Sequence, residues 1–314
     1  MRSKVVTVFG GSGFIGRYVV QRLAAAGATI RVPTRHPERA MHLQPLGTVG
    51  QIVLERWSAT SEAEVARMLA HVDAAVNLVG ILFESGAGDF NRLQAELPGR
   101  VGAAAARLGV KRVVQISAIG ADPASTSVYA RTKAAGEAAV KEAFPAATIL
   151  RPSIVFGPED GFFNRFARMS ALSPALPLIG GGRTRFQPVY VGDVADAVMA
   201  ALTRDDVQGR TYELGGPGIY SFKELLSYML RVTGRRRLLV PLPDGLARLQ
   251  AKILQYLPEP PLTLDQLELL KRDNVVSEGA AGLAELGVQP TPLEVIVPGY
   301  LRTYARPQVR TPVI

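Results

Sequence analysis

Tyr129 and Lys133 stand four residues apart in the run YARTK. One helical turn carries both side chains to the same face, where the ammonium can lower the phenol's pKa and bind a ribose. A phenol so activated serves a reductase as general acid. The spacing alone is common, and it gains meaning from a second feature near the chain start. Gly10, Gly13 and Gly16 recur at three-residue spacing in VVTVFGGSGFIGR, between an apolar, β-branched run (Val5, Val6, Val8, Phe9) and a helical run RYVVQRLAAA closed by Gly27. In a strand, glycine turn and helix of this kind, the first glycine permits the tight turn and the second lets backbone approach a pyrophosphate. The third packs helix on strand. Free amides and the positive dipole end of the helix hold the phosphates, so Gly10, Ser12, Gly13, Phe14, Ile15, Gly16 and Arg17 are candidate dinucleotide-binding residues.

The base-side ribose is read about 20 residues further on, by an acid that takes the 2′-hydroxyl or an arginine that takes a 2′-phosphate. Arg35 occupies that place at the end of the run TIRVPT, and no acid precedes it in the strand. A guanidinium pairs well with phosphate, which points to NADP(H) over NAD(H), with Arg17 or Arg39 assisting.

Short apolar strands must position these groups. They are read at 5–9, 29–34, 51–54, 74–80, 113–117 and 148–150, with helices at 17–26, 61–70, through VGAAAARLGV and at 129–144. The strand 74–80 ends in Leu78, Val79 and Gly80 at the carboxyl edge of the sheet, where ligands bind. The fifth strand ends in Ser117. Strand alternating with helix at this period predicts an α/β fold with a doubly wound parallel sheet and a smaller carboxy-terminal lobe. The division expected is a nucleotide-binding part at 1–158, completed by 188–216, and a smaller substrate-like or docking lobe at 159–187 and 217–314. SPALPLIGGGR at 173–183 reads as a loop. LARLQAKILQYL, with apolar residues at 246, 249, 253, 254 and 257, reads as an amphipathic helix that packs in the core or lies on a membrane or partner.

Composition narrows the classes. The 314 residues are 47% hydrophobic and 20% charged and include no cysteine, which excludes disulfides, thiolate catalysis and iron–sulfur or zinc–thiolate centres. His36, His42 and His71 are not spaced as metal ligands, and no metal is expected. The first strand starts within a few residues of Met1, leaving no room for a targeting segment in this form of the chain. No apolar run approaches the length of a bilayer span, and a soluble, cytosolic chain is expected. The net charge is +9 and the excess of Lys and Arg lies mostly before residue 150. Without a nucleic-acid motif or aromatics interleaved with the cations, this basicity suits cofactor phosphates, an acidic partner or anionic lipid headgroups. The dense cluster Arg235-Arg236-Arg237 reads as a solvated face.

These motifs together resemble the extended and atypical short-chain dehydrogenase/reductases. LRPSIVFGP at 150–158, PVYVGDVA at 188–195 and YELGG at 212–216 match further segments of that superfamily. The resemblance implies NADP(H) in the glycine cleft, Tyr129 and Lys133 at the nicotinamide ribose, and Pro152 and Ile154 beside the nicotinamide. Two positions depart from the active pattern. The hydroxyl-bearing pair that ends the fifth strand is Ser117-Ala118 here, and Ser58 stands in RWSAT where an acid would meet the adenine. The first departure weakens turnover more than binding.

A narrower resemblance runs nearly end to end, through RVPTRHPERAMHLQPLGTVGQIVLERW, VNLVG, KAAGE, FNRFARM and LGVQPTPLE. These stretches are similar to the accessory NADPH-binding subunits of respiratory complex I. That likeness implies a structural rather than redox-active NADPH, other complex I subunits as partners, and a peripheral place on the cytoplasmic face of a bacterial inner membrane or, in a processed form, on the mitochondrial matrix side. A freestanding NADP-dependent reductase, dehydratase or epimerase on a nucleotide sugar or other carbonyl compound is the alternative, and a cofactor-sensing regulator a third.

Overall fold

The computed structural model describes residues 1–58, 60–255, 260 and 262–305. Seven strands form one sheet: β1 (Val5–Phe9), β2 (Thr29–Thr34), β3 (Ile52–Arg56), β4 (Ala74–Asn77), β5 (Arg112–Ile116), β6 (Thr148–Pro152) and β7 (Thr211–Leu214). All pair in parallel, in the spatial order β7-β6-β5-β4-β1-β2-β3. Burial explains the central position of β1, because Val6, Val8 and Phe9 have no exposed surface and only a strand covered on both faces hides a continuous apolar run. Strand order reverses between β1 and β4, and the crevice at their carboxyl ends is where ligands enter such sheets.

Helices cover both faces. On one side α1 (Phe14–Ala25) brings Val19, Val20 and Leu23 into a core shared with Val194 and Val198. On the other, α2 (Glu62–Leu69), α3 (Leu97–Arg107) and α4 (Val128–Ala143) supply Val65, Met68, Leu97, Val101 and Val140. Ser61 and Ser127 cap α2 and α4 with their hydroxyls. Helix α4 approaches the π-helical turn before α3 closely because Gly136 carries no side chain: a Cβ there would lie 2.0 Å from the Gln94 carbonyl oxygen. Arg151 on β6 ties this face to the sheet edge, bonding Glu137 of α4 at 2.6 and 2.8 Å and Glu213 of β7 at 3.4 Å.

Beyond β6 the chain builds a second core from α5 (Phe163–Leu172) and, after α6 (Val191–Thr203) has returned to the sheet, from α7 (Phe222–Val232) and the carboxy-terminal helix Leu293–Leu301. Phe162, Phe163, Phe166 and Phe222 meet there mostly edge to face. The loop expected at 173–183 contains a strand. Ala175–Ile179 pairs in parallel with Leu238–Leu242, with Leu176 and Leu178 buried. Its prolines hid this, yet a two-stranded pair has only edge strands, where the missing amide of proline is tolerated.

The helix expected in LARLQAKILQYL runs Asp244–Leu254 and is designated α8. Its small residues Ala247 and Ala251 face the protein, whereas Leu249 and Ile253 are 56% and 67% exposed. Leu257 lies outside the described residues. The arginine cluster is not wholly a solvated face, since Arg235 and Arg237 turn inward to the carbonyls of Tyr304 and Ser170 and Arg236 alone is exposed. No helix among the described residues is long and apolar enough to cross a membrane.

Candidate nucleotide cleft

The cleft begins at the turn between β1 and α1. Gly10 adopts φ +76°, a conformation strained for any residue with a side chain, and packs against the backbone of Leu78 at the end of β4. Gly13 is the residue before the helix, and no side chain caps α1. Among the described residues the amides of Ser12, Phe14 and Ile15 donate to no protein acceptor. A helix start with free amides and no cap is an anion site in waiting. Gly16 serves packing instead, for a Cβ on it would lie 2.3 Å from the Gly10 carbonyl oxygen.

From this turn a cavity of about 420 Å³ runs past β2 and β3. Gly10, Ser12, Gly13, Arg35, Leu78, Val79 and Gly80, all expected at the site, line it. Arg39 lines it too, together with His36, Trp57 and Arg92, which the sequence reading did not single out. Arg35 and Arg39 are exposed at the rim, with no carboxylate bonded to either side chain among the described residues. Arg17 does not join them. Its guanidinium bonds Glu159 at 2.9 Å, and Tyr18 donates to the same carboxylate, an ion pair with the segment after β6.

Tyr129 and Lys133 share one face of α4, with the ammonium 5.8 Å from the ring centroid. Lys133 is 6% exposed and adjoins the cleft wall, since a Cβ on Gly80 would lie 3.0 Å from its Nζ. Desolvation lowers the Lys133 pKa to about 8, with nearby Glu137 opposing. The Tyr129 phenol is pushed up to about 12, first by burial and then by the Asp265 carboxylate. The lowering expected from the ammonium is not seen in the cofactor-free chain, where burial and the Asp265 carboxylate both act upward.

Asp265 belongs to the short helix Leu264–Leu269, designated α9. Its Oδ1 accepts from the Val128 amide at 2.6 Å, and its Oδ2 accepts from Ser127 Oγ at 2.8 Å and the Tyr129 amide at 3.2 Å. Further along, Asn274 bonds Ser153 Oγ and the Ile154 amide and donates to the Ile119 carbonyl. The carboxy-terminal segment thus fastens onto the loops that follow β5 and β6. Ser117 follows β5 with its Oγ buried and without a partner among the described residues, as is Oε1 of Gln94 in the π-helical turn Asn91–Glu96 that leads into α3. Pro152 ends β6 and is buried, with Ile154 half-buried just beyond. Ser117, Tyr129, Pro152 and Ile154 therefore stand at the carboxyl edge of the sheet without lining the cavity.

These residues fit a nicotinamide dinucleotide. The uncapped helix start offers amides, the rim offers Arg35 and Arg39, and the inner end offers a lysine and two buried oxygens lacking partners.

Residues 6–215 match the NAD dependent epimerase/dehydratase family. The mouse (Mus musculus) protein "NADH dehydrogenase [ubiquinone] 1 alpha subcomplex subunit 9, mitochondrial" is 36% identical over 93% of this chain and 78% of its own length. Ceramide reductase of Caulobacter vibrioides is 29% identical over 76% of this chain and 74% of its own. Among solved structures, gox2253 superimposes with a TM-score of 0.74 at 21% identity, over 97% of this chain and 99% of that one, which speaks to the fold alone. The chain belongs to the NAD dependent epimerase/dehydratase family and, within it, to the family of NADH dehydrogenase [ubiquinone] 1 alpha subcomplex subunit 9.

Proposed function

We propose that this chain is an accessory subunit of NADH:quinone oxidoreductase, respiratory complex I, in which NADPH serves as a structural group. The observation that carries the proposal is the 36% identity to subunit 9 over 93% of this chain. The cleft supports the cofactor half of the reading: the amides of Ser12, Phe14 and Ile15 take the pyrophosphate, Arg35 and Arg39 the 2′-phosphate, and Tyr129 and Lys133 the nicotinamide ribose. Leu78, Val79 and Gly80 border the ribose, while Ser117, Pro152 and Ile154 border the nicotinamide. In this reading residues 1–158, with 188–216, hold the cofactor, and 159–187 with 217–314 dock.

When bound, a reduced nicotinamide supplies hydride chemistry. This chain does little to use it. Ala118 offers no hydroxyl to orient a carbonyl, and a phenol with a pKa of about 12 is a weak proton donor near neutral pH.

The docking half draws on α8, whose Leu249 and Ile253 are uncovered, and on Leu238 and Val240, also exposed. With Arg236 and Lys252 nearby in sequence, this side suits a bilayer interface with anionic headgroups, on the cytoplasmic face of a bacterial inner membrane or the matrix side in a mitochondrion. The retained pair Tyr129 and Lys133 favours one second reading, a freestanding NADP-dependent reductase, dehydratase or epimerase of a small carbonyl compound.

Native purification from membranes tests the choice. An accessory subunit migrates with NADH:quinone oxidoreductase and retains NADPH that stays reduced through turnover. A separate soluble protein that consumes NADPH with a carbonyl compound would overturn the proposal.

A further inference from the structure

Residues 263–274, which include α9, cross the carboxyl edge of the sheet and bond in turn the loops that follow three neighbouring strands. After β4, the Leu82 carbonyl accepts from Gln266 Nε2 at 3.5 Å. After β5, Arg272 bonds Asp122 at 2.7 Å and Thr126 Oγ1 donates to Glu268 at 3.2 Å, while Asp265 accepts from Ser127, Val128 and Tyr129. After β6, Asn274 Oδ1 accepts from Ser153 Oγ at 2.7 Å and from the Ile154 amide at 3.1 Å. Tyr129 and Ile154, which the cofactor reading puts at the nicotinamide end of the cleft, are among the residues bonded.

The segment is anchored away from the sheet. Asp273 accepts from the Arg185 amide at 2.8 Å and from its guanidinium at 2.7 Å, and Asn274 pairs with Phe186 of the second core. Leu267 rests on Ala247 and Ala251 of α8, in a small apolar cluster separate from the cores of the sheet. Of residues 263–274 only Thr263 and Leu267 are buried, so the ties to the sheet loops are mainly polar. Exposed ion pairs and hydrogen bonds each hold weakly. Contacts with little buried apolar surface open at a small fraction of the free energy of unfolding. A span anchored on one body and tied across the edge of another by breakable bonds is a strap.

We propose that residues 263–274 close the nicotinamide end of the cleft, and that NADPH enters and leaves when their ties to the sheet loops break. The inference rests on the cofactor reading above and gives it a physical basis for retention, since a group kept for structure has to exchange slowly as well as bind. Closure of this kind acts on rates. It slows entry and exit alike.

The chain has no cysteine, so Asp122→Cys together with Arg272→Cys creates a unique pair, at residues that do not line the nucleotide cavity. The pair is joined by 1,2-ethanediyl bismethanethiosulfonate and separated again by dithiothreitol, which makes one protein its own control. Release of NADPH is followed by the loss of its fluorescence on mixing with excess NADP⁺, and loading by the gain. The cross-link is expected to slow release and loading each about tenfold and to leave affinity within about twofold, with both rates restored by dithiothreitol. Thr126→Cys with Glu268→Cys repeats the measurement at a second tie, and melting temperatures establish that both variants fold. Equal rates with the cross-links closed and cleaved would overturn the strap, as would a changed affinity at an unchanged loading rate, the mark of a contact on the cofactor. Failure of the wild-type chain to bind NADPH at all would overturn the cofactor reading, and this inference with it.

Discussion

Asp265 accepts a hydrogen bond of 2.8 Å from Ser127 Oγ, 138 residues earlier in the chain. The same carboxylate also takes the amides of Val128 and Tyr129, so a residue of the carboxy-terminal segment satisfies the start of the helix that carries Tyr129 and Lys133. Carboxylates stabilise helix starts by satisfying amides and by opposing the dipole. Asp265→Ala should lower stability by about 1–2 kcal/mol, measured by urea unfolding. It should also bring the Tyr129 pKa down, since a negative neighbour is removed, as an NMR titration of the tyrosine Cζ would record. An unmoved Tyr129 titration would mean that the carboxylate does not act on the phenol.

Lys133 makes stability depend on pH. Its folded pKa of about 8 lies below the usual 10.5, so between these values the unfolded chain holds a proton that the folded chain has lost, and folding becomes more favourable as pH rises. Below pH 8 both states hold it and the penalty stays nearly constant, on the order of 3 kcal/mol at neutral pH. Lys133→Met should therefore stabilise the cofactor-free chain at pH 7, lose that advantage by pH 10.5, and weaken NADPH. Denaturant midpoints at the two pH values decide the matter, and a variant less stable at pH 7 would contradict it.

In the proposed reading Arg35 sets cofactor choice. Arg35→Ala should cost NADPH about 1.5–3 kcal/mol of binding, the range of a charge-assisted bond, and leave NADH nearly unchanged. Calorimetry with both nucleotides checks this. A wild-type chain that binds the two equally would remove the basis for the phosphate assignment.

Leu249 and Ile253 carry the docking prediction. Changing both to Glu should abolish cosedimentation with vesicles of anionic and zwitterionic phospholipid while leaving NADPH affinity and the melting temperature within error, because neither side chain packs in the core. Undiminished cosedimentation would place the membrane contact elsewhere.

The nucleotide half was legible in the sequence because its signals are local. The glycine turn and the β-branched strands each specify their own backbone, and the alternation of strand with helix specifies the fold class. The ion pair of Arg17 was not legible for the opposite reason: its partner Glu159 comes from a segment no local pattern connects to it. Asp265 was equally invisible, a carboxylate whose function depends on tertiary placement. The strand Ala175–Ile179 was obscured by Pro174 and Pro177, which read as loop unless the strand is known to be an edge. Trp57 gave one signal that could have been used, an aromatic at the end of β3 next to Ser58.

The sheet order carries a consequence for synthesis. After β6 the chain leaves the sheet at Pro152 and re-enters it only at Thr211, and in the interval it lays down much of the second core. A ribosome-bound nascent chain that ends in this interval presents β6 as an open edge, with Arg151 still lacking Glu213. Such edges template unwanted pairing, and long-range closure is slow. Nascent chains halted within residues 153–210 should be the stage at which this protein depends most on chaperones, and arrival of β7 the event that releases it.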